Sequence, residues 1–364
     1  MMDKNALLSI AAQFNLKGSI EEISQLGEGH IHATYLVTGS EQAYVLQQFN
    51  HKVFPQPYEV AENILMVARH MKDRFQKSNV SDYWRKYLPP ISLKNASHTL
   101  FTHDDSYWRM FPYIQHSYVL QTVESSDQAY EAAKLVGCFQ ALLSDFPIRG
   151  LHTTLPDFLH VPVRYQQFLA ALRRSSGEKK LQAKEAIGAI ETYHEFILND
   201  PVYQNEEFLP LRVTHNDTKI NNALLDTKTH TGLCMIDLDT VMPGYSIHDF
   251  GDMIRTFCSP VDENSKELER IAIRMPIFEA LCKGYLEEAG GFLTDREKEN
   301  LLHGGKQMIL ITAIRFLTDF LAGDVYYRTY YKGQNLDRAR NQLTLLEKVH
   351  QQEVELQKII KQYS

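Results

Sequence analysis

The sequence predicts an α+β fold of two lobes, in which a small antiparallel sheet is followed by a larger and mostly helical part. Strand-like segments dominate roughly the first hundred residues, helical periodicity dominates from about residue 125, and a polar loop with a short hairpin lies midway. We expect the small lobe to span residues 1–113 and the large lobe to span residues 114–364.

Three segments of the small lobe have the composition of strands. ISQLGEGHIHATYLVTG predicts two strands around a glycine-bearing turn, EQAYVLQQFN predicts a third, and TLFTHDDSYWRMFPYIQ predicts a hairpin that turns at Asp104 and Asp105. Between them, PYEVAENILMVARHMKDRF carries apolar residues at helical spacing. The small lobe is therefore expected to be a sheet with one inserted helix.

Helical patterns dominate the large lobe. Ser125 and Gln128 form a capping-box pattern ahead of one helix, and a second long helix is predicted from about Glu178 to Leu198. Farther along, INNALLD and LCMIDLD flank a turn and predict a small hairpin. The chain from Asp249 onward is expected to be mostly helical.

Composition and charge argue against several classes of protein. The chain has 364 residues, of which 44% are hydrophobic, so it is long enough to bury a sizeable core. A formal net charge of -7 argues against a general nucleic-acid-binding protein, which needs a basic face. The most apolar segment, MILITAIRFLTDFLAG, is interrupted by Arg315 and Asp319, which predicts a buried helix and not a membrane span.

The cysteines indicate a reducing compartment. They are far apart in the sequence and form no C-x-x-C pair, so the pattern is typical neither of a zinc site nor of a disulfide framework. We therefore expect a cytoplasmic protein. We also expect a monomer without nucleic-acid or membrane partners. The cysteines are Cys138, Cys234, Cys258 and Cys282.

The segment VTHNDTKINNALLD concentrates ionisable side chains in one short loop. It contains the pattern H-x-D-x-x-x-x-N at His215, Asp217 and Asn222, with Lys219 two residues after the aspartate. In phosphoryl transfer, an aspartate on such a loop accepts the proton of the attacking hydroxyl, and an asparagine five residues later holds magnesium. Lys219 is placed to meet the transferred phosphate. The alternative is a polar loop that matches the pattern by accident, roughly a one-in-twenty event.

A second carboxylate follows at the end of the predicted hairpin. Asp237 ends an apolar run beside the loop and can bridge magnesium to phosphate groups. Asp239 is the weaker rival, since both side chains would point the same way in an alternating strand. The literal Asp249-Phe250-Gly251 matches a kinase metal motif, but it follows a Pro-Gly turn and opens a helix. We expect Asp249 instead to be a buried carboxylate that accepts backbone N–H groups.

The small lobe offers candidate nucleotide contacts. Gly27 and Gly29 lie between two predicted strands, where glycines let backbone N–H groups approach phosphates, although such a pair is more often an ordinary hairpin. In the next strand the kinase pattern requires a lysine that holds the α- and β-phosphates, and this sequence has Gln47. Glu62, on the following helix, lacks that lysine as a partner. A solvated or capping acid is therefore an equally good interpretation of Glu62.

Together these segments resemble the aminoglycoside-phosphotransferase branch of the protein-kinase-like fold. Closer still, LRVTHNDTKINNALLD, IDLDTVMPG, DFGDMIR, RFLTDFLAGDVYY and NLDRARNQ are similar to the N-acetylhexosamine 1-kinases within that branch. The similarity runs from GEGHIHATYLV near residue 27 to NLDRARNQ near residue 341. It implies ATP- and Mg2+-dependent phosphorylation of the anomeric hydroxyl of N-acetylglucosamine and N-acetylgalactosamine.

The resemblance also assigns roles to particular residues. It implies that Asp217 is the base that contacts the acceptor hydroxyl, and that Asn222 and Asp237 are the magnesium ligands. The sugar contacts that it implies are His30, Arg315 and Tyr326. Gln47 departs from kinases at large, which puts the anchoring of the nucleotide in doubt more than the activity.

Structural interpretations of these sugar contacts stay open. Arg315, in an apolar helix, is either a charge that faces the ligand or an ion-pair partner of Asp319 or Asp324. Tyr326 is either a ring that stacks on a sugar or a packing residue of the tyrosine-rich VYYRTYYKG segment. His30 fits an ordinary strand equally well, so its role depends on the resemblance alone.

Two rival functions remain. One is a kinase for another small metabolite, of the choline, methylthioribose or aminoglycoside type, which would share the fold and the loop. The other is a catalytically inactive nucleotide-binding module, which the missing strand lysine suggests and the intact Asp217, Asn222 and Asp237 oppose. The connection from Asp237 to the helix at Asp249 is too short for an activation segment, which favours a small-molecule acceptor over a protein.

Overall fold

The first part of the chain forms a five-stranded antiparallel sheet with the strand order β1-β2-β3-β5-β4. The structure, a computed structural model, describes residues 3–27, 31–205 and 207–364. Buried and partly buried residues alternate along β2 and β3, which shows that one face of the sheet covers a core. The strands are β1 (Ile20–Gln25), β2 (Ala33–Gly39), β3 (Ala43–Phe49), β4 (Leu100–His103) and β5 (Ser106–Pro112).

Two helices of the small lobe pack in different directions. Helix α1 (Lys4–Ala11) buries Leu7 and Ile10 in a small core that it shares with the sheet. Helix α2 (Pro57–Lys77) instead buries its apolar face in the larger core of the helical part. Its Asn63, which is fully buried, donates to the Val241 carbonyl oxygen at 3.0 Å. Helix α2 therefore links the small lobe to the turn that follows Asp237.

Helices make up most of the chain after residue 125. The longest of them, α12, lies in the middle of the large core and packs against α4, α9 and α13. The helices are α3 (Ser126–Leu142), α4 (Val161–Arg174), α5 (Gly177–Gln182), α6 (Lys184–Glu191), α7 (His194–Leu198), α8 (Pro201–Gln204), α9 (Ser246–Phe257), α10 (Met275–Ala289), α11 (Asp295–Glu299), α12 (Leu301–Ala322), α13 (Gln334–Gln351) and α14 (Glu353–Tyr363).

Short strands frame the polar loop in the middle of the chain. Strand β7 pairs with β10 on one side of the loop, and β8 pairs with β9 and β6 on the other. The loop therefore begins and ends at paired strands, and the residue Asp237 follows β9 directly after Ile236. These strands are β6 (Ser117–Tyr118), β7 (Arg212–Thr214), β8 (Ala223–Asp226), β9 (Gly232–Met235) and β10 (Met242–Gly244).

The structure confirms the predicted α+β class and most of the predicted elements. The hairpin at Asp104 and Asp105, the midway hairpin and the first helix of the large lobe are all present. Ser125 caps that helix by accepting from the N–H of Gln128. The sheet ends at Pro112, and on this ground we keep a lobe boundary at residue 113 as a proposal.

The predicted long helix from Glu178 to Leu198 is wrong, because three short helices occupy this stretch. The second break follows Thr192, whose hydroxyl donates to the Ala189 carbonyl at 2.7 Å and so competes with the helical pattern. Leu181, which one continuous helix would place on the same apolar face as the buried Ile190, is 74% exposed. The helical spacing of apolar residues continues across the two breaks between α5, α6 and α7, so the sequence pattern did not indicate them.

The most apolar segment of the chain lies in α12, as a buried helix. Its last turn ends at Gly323, whose φ of 110° requires a glycine. No helix in the described ranges of the chain combines the length and the apolar character that a bilayer crossing needs.

Candidate active site

A cavity of about 470 Å³ lies between the small sheet and the polar loop after β7. An apolar cavity of this size with a few convergent polar groups is typical of a small-ligand site. Its polar side chains come from both walls and include Gln47, Arg109, Lys219, Asn222 and Asp237. Its apolar lining includes Leu26, Ile31, Val45, Leu88, Phe111, Ile114, Leu224 and Ile236.

Asp217 is held by two neighbours within the loop. The Asn222 side-chain N–H group donates to the Asp217 carbonyl oxygen at 2.8 Å and to its Oδ2 at 3.0 Å. Lys219 Nζ lies 3.1 Å from the same Oδ2. A single 3-10 turn at Ile220–Asn222 folds the asparagine back toward the aspartate, which explains the five-residue spacing. The structure thus brings together three residues that the sequence singled out.

Charge keeps Asp217 ionised. Burial raises the pKa of Asp217, but Lys219, His215 and Arg255 together outweigh burial, and the pKa lies below its usual value. In the same pair, Asp217 is the largest cause of the raised pKa of Lys219. A carboxylate and an ammonium group therefore coexist at neutral pH, as a general base and a phosphate contact require.

Asp249 fixes the backbone of the loop. Its Oδ2 accepts from the His215 N–H at 2.9 Å, and its Oδ1 accepts from the Asn216 N–H at 2.7 Å. Gln140 donates to Oδ2 at 2.7 Å, and the Thr218 hydroxyl donates to the Asp249 carbonyl at 2.6 Å. Asp249 is fully buried. Its predicted role as a buried acceptor of backbone N–H groups is confirmed.

The other two letters of the literal Asp-Phe-Gly also serve packing. The Phe250 ring is fully buried, with its centroid 5.1 Å from that of Tyr285. At Gly251, helix α9 approaches α12 so closely that an added Cβ would clash with the Gly304 backbone. The motif therefore anchors α9 beneath the loop.

Asp237 lies beyond the end of β9 in the left-handed conformation, with φ 59°. Such a conformation is uncommon outside glycine and is frequent at functional sites. His215 Nε2 donates to the Ile236 carbonyl at 2.9 Å, and the Ile236 N–H donates to the Asn222 carbonyl at 2.9 Å. These bonds tie the Asp237 turn to the loop. Burial raises the pKa of Asp237, and the carboxylates of Asp239 and Asp217 raise it further, so a cation here would relieve their repulsion.

Asp237 and Asp239 do not lie in one alternating strand, because β9 ends at Met235 and a turn follows it. Asp237 lines the cavity, whereas Asp239 is 2% exposed. Arg109 binds both oxygens of Asp239, with Nη2 2.8 Å from Oδ2, and His32 Nε2 lies 2.6 Å from Oδ2. Burial raises the pKa of Asp239, but the charges and hydrogen bonds of Arg109 and His32 together lower the pKa more. Asp239 is therefore an ion-pair partner and not a free ligand.

Arg109 and His32 are site residues that the sequence reasoning missed. Arg109 lies in β5 between Trp108 and Met110, both fully buried, and its Nε donates to Gln47 Oε1 at 3.0 Å. The available signal was an arginine in an otherwise apolar strand, since a buried cation needs a partner. His32 offered no comparable signal.

The predicted nucleotide contacts of the small lobe have different outcomes. Gln47 lines the cavity, and Gly27 has a φ of 66° beside Leu26, which also lines it. Gly29 and His30 lie outside the described residues. Glu62 does not approach Gln47 but pairs with His152 at 2.8 Å on the surface, so the solvated interpretation of Glu62 is correct.

Asn222 and Asp237 fit a magnesium ion by the chemistry of their donors, since magnesium prefers oxygen ligands. The Asn222 nitrogen faces Asp217, and no described residue donates to its amide oxygen. Potential ligand atoms of His32, Asp237 and Asp239 lie within 4.8 Å of one another, but His32 and Asp239 are bonded to each other. Asp237 is thus the carboxylate of this group that is left for an ion.

Arg315 and Tyr326 belong to an aromatic cluster and not to the described lining of the cavity. The Arg315 guanidinium lies 4.8 Å from the ring centroid of Phe158, 5.6 Å from that of Tyr327 and 5.8 Å from that of Tyr326. Tyr326 itself is 58% exposed. Within the described ranges, no ion pair joins Arg315 to an acidic residue. The guanidinium therefore keeps its donors for another partner.

The acids considered as partners of Arg315 are engaged elsewhere. Asp319 accepts the backbone N–H groups of residues 325–327, each at 2.9 Å, and Asn335 binds both Asp319 and Asp324. The ion-pair alternative for Arg315 is therefore wrong. Asp319 instead shapes the turn that carries Tyr326.

A second arginine, Arg164, lies beside Arg315. Burial lowers the pKa of Arg164, and electrostatic repulsion by the nearby guanidinium of Arg315 lowers it further. Arg164 donates to the Phe158 carbonyl at 3.3 Å and to Gln167 at 3.0 Å, both neutral acceptors. The aromatic cluster thus carries two positive charges.

Comparison with known sequences assigns the chain to a family. Residues 22–292, most of the chain, match the profile described as the phosphotransferase enzyme family. The matched range includes Asp217, Asn222 and Asp237, the candidate site residues in the middle of the chain.

Solved structures share the fold at low sequence identity. A microcompartment-associated aminopropanol kinase is 14% identical, with a TM-score of 0.62 over 96% of this chain and 98% of that one. A spectinomycin phosphotransferase, solved with ADP and spectinomycin, is 12% identical, with a TM-score of 0.62 over 96% and 99%. A choline kinase from Cryptosporidium parvum is 15% identical, with a TM-score of 0.53 over 97% of each chain. These likenesses confirm the predicted kinase-like fold.

Proposed function

The chain belongs to the phosphotransferase enzyme family, and from this premise we propose that it phosphorylates N-acetylhexosamines at the anomeric hydroxyl. The donor would be ATP with Mg2+, and the product a sugar 1-phosphate of N-acetylglucosamine or N-acetylgalactosamine. The observation that carries the transferase proposal is the Asp217 carboxylate, held by Asn222 and Lys219 beside the cavity.

The cavity supports a nucleotide as the donor. Its apolar lining suits the flat face of a purine base, and its polar side chains suit a triphosphate. Lys219 contributes a fixed positive charge to that polar set. The spectinomycin phosphotransferase of the same fold was solved with ADP.

Asp217 would act as the general base. In an in-line transfer it orients the acceptor hydroxyl and takes its proton late, because the phosphoryl transition state is loose. The anomeric hydroxyl is more acidic than a simple alcohol, which eases this proton transfer. Lys219, 3.1 Å from Asp217, would meet charge on the transferred phosphate.

Asn222 and Asp237 would hold the magnesium ion through oxygen atoms. When bound, the ion would neutralise charge on the phosphates. The loop and turn that carry them are joined through Ile236, so the two ligands keep a fixed separation. Positioning and charge neutralisation are the main demands of this reaction.

The charge of the aromatic cluster supports a neutral sugar over a cationic acceptor. Arg315 and Arg164 have no carboxylate partner within ion-pair distance in the described ranges. A cationic acceptor 4 Å from one of these charges would be repelled by about 4 kcal/mol. A sugar instead presents hydroxyl and amide oxygens to a guanidinium and C–H faces to rings such as Tyr326.

The test is ADP release measured across a panel of acceptors: N-acetylhexosamines, plain hexoses, choline and aminoglycosides. We expect turnover with N-acetylglucosamine or N-acetylgalactosamine and none with the cationic acceptors. Turnover restricted to choline or an aminoglycoside would replace the proposed acceptor, and no turnover with any N-acetylhexosamine would exclude it. Failure to bind Mg-ADP at all would exclude the transferase proposal itself.

We also propose that the protein is a monomer that acts in the cytoplasm. The four cysteines are unpaired in the structure, which suits a reducing compartment. Light scattering of the purified protein tests the monomer, for which a mass near 42.0 kDa is expected.

A further inference from the structure

Arg109 is a buried cation in the middle of the small sheet. Its side chain is 5% exposed, and the rings of Phe49 and Phe111 lie 5.0 and 5.2 Å from its guanidinium carbon. A cation in such surroundings is costly unless it is paired and hydrogen-bonded. Arg109 meets that need through Asp239, which it binds with two nitrogens on two oxygens. The pair joins the sheet to the turn that carries Asp237.

The third nitrogen of Arg109 faces the strand position where kinases have their lysine. Arg109 pairs with Gln47 across β5 and β3, and its Nε donates to Gln47 Oε1 at 3.0 Å. The oxygen of this amide is therefore occupied. Its nitrogen points instead toward Thr34, 3.4 Å away, and both Gln47 and Thr34 line the cavity. Arg109 thus decides which end of the Gln47 amide faces a ligand.

His32 adds a second link from the sheet side to Asp239. Its Nδ1 accepts from the Asn50 N–H at 3.0 Å, so the proton of the neutral ring lies on Nε2 and is donated to Asp239 Oδ2. Both oxygens of Asp239 are then bonded to groups of the small lobe. Two residues earlier, Asp237 stands in its left-handed conformation at the cavity.

We propose that Arg109 is a positioning residue of the candidate active site. It sets the distance between Gln47, on the side of the cavity proposed to bind the nucleotide, and Asp237, the proposed magnesium ligand. The inference rests on the proposed binding of ATP and Mg2+. The positive charge that the strand lacks is present one strand away, and it acts through Asp239 and Gln47. Each of its three nitrogens has a partner in the protein, and Arg109 acts on the ligand through these partners.

The test compares Arg109→Met with Arg109→Lys by calorimetric titration of Mg-ADP and by titration of Mg2+ at fixed nucleotide. Substitution of a residue that hydrogen-bonds to or supports a metal ligand typically lowers metal affinity or activity by about 10- to 100-fold. We expect Arg109→Met to weaken both affinities by about that factor. Arg109→Lys keeps the charge but loses the two-pronged contact, so it should recover part of the loss. A folded Arg109→Met with the parent affinities would overturn the proposal.

Lys306→Met is the matched control, because it also removes the cation of an ion pair, here a partly buried one. Lys306 pairs with Glu353 at 2.5 Å between α12 and α14, away from the cavity. We expect it to lower the thermal midpoint of unfolding and to leave the affinity for Mg-ADP unchanged. If Lys306→Met weakened nucleotide binding as much as Arg109→Met, the effect would be general destabilisation and the proposal would fail.

Gln47→Leu keeps the proposal testable if Arg109→Met does not fold. Gln47 is only partly buried, so its removal leaves the ion pair in place. We expect weaker Mg-ADP binding, and an effect that is not additive with Arg109→Lys, because the two act through one hydrogen bond. Parent affinity in Gln47→Leu would overturn the proposal. Since nucleotide binding needs no acceptor, these results stand apart from the identity of the sugar.

Discussion

The Asn222 side chain donates to Asp217 twice, once to the carbonyl oxygen at 2.8 Å and once to the carboxylate at 3.0 Å. A single asparagine thereby fixes both the backbone and the side chain of the candidate base. Its amide oxygen is left on the side away from Asp217, where an ion would bind. Two hydrogen bonds thus join the candidate base to the candidate metal ligand.

Replacement of Asp217 tests the base. We expect Asp217→Asn to lower kcat by about 10²- to 10⁴-fold, because an amide cannot take the acceptor proton. Mg-ADP affinity should change little, since Asp217 faces the acceptor. The measurements are ADP release and calorimetry, with Asp145→Asn as a control at a half-exposed carboxylate of a surface pair. A variant that retained more than a tenth of kcat would exclude Asp217 as the base.

Asp237 and Asp249 should respond differently to the same change. We expect Asp237→Asn to abolish turnover in a folded protein, because it weakens the candidate metal site. Asp249→Asn should lower the free energy of unfolding by about 1–3 kcal/mol, because one buried N–H group of the loop loses its acceptor. Urea unfolding and ADP release separate the two effects. The opposite pattern, with activity intact in Asp237→Asn, would return the metal role to the literal Asp-Phe-Gly.

Arg315 should matter for the acceptor and not for the nucleotide. We expect Arg315→Met to raise the KM for the N-acetylhexosamine about ten- to hundredfold, because the acceptor loses a hydrogen bond from a charged donor. The affinity for Mg-ADP should stay unchanged. Arg328→Met is the control, since Arg328 is an exposed arginine in the loop after α12, and its guanidinium lies over the ring of Tyr330. Equal effects of the two substitutions on KM would remove Arg315 from the acceptor site.

His248 should make stability depend on pH. Burial lowers the pKa of His248 to about 4, below its usual 6.5, so between these values the unfolded chain binds the proton and the folded chain does not. Stability is then highest above pH 6.5 and is lost as the pH falls toward 4, by about 3 kcal/mol from this residue. His248→Gln should flatten that part of the profile measured by urea unfolding. His51→Gln, at an exposed histidine, should follow the parent curve.

The sequence could predict the loop because its chemistry is local. Asp217, Lys219 and Asn222 lie within one turn of each other, so residue spacing alone determined their proximity. Asp249 could be distinguished from Asp237 for the same reason, since each stood in a recognisable local context. The two hairpins followed from strand composition and turn residues.

Long-range pairing could not be predicted in this way. Arg109 and Asp239 are 130 positions apart, and His32 and Asp239 are 207 apart, so no window of sequence contains the pair. The direction of Asp239 depended on a left-handed residue at Asp237, which a strand pattern does not reveal. The breaks between α5, α6 and α7 depended on packing and side-chain bonds that leave the apolar period intact.

Strand β10 has a consequence for the control of this protein. The segment after Asp237 passes within a few residues into β10, which pairs with β7, and then into α9. The connection from Asp237 to α9 is too short to form a long regulatory loop of the kind that phosphorylation orders in protein kinases. We therefore expect the reaction rate to depend on the concentrations of the two substrates and not on modification of this connection.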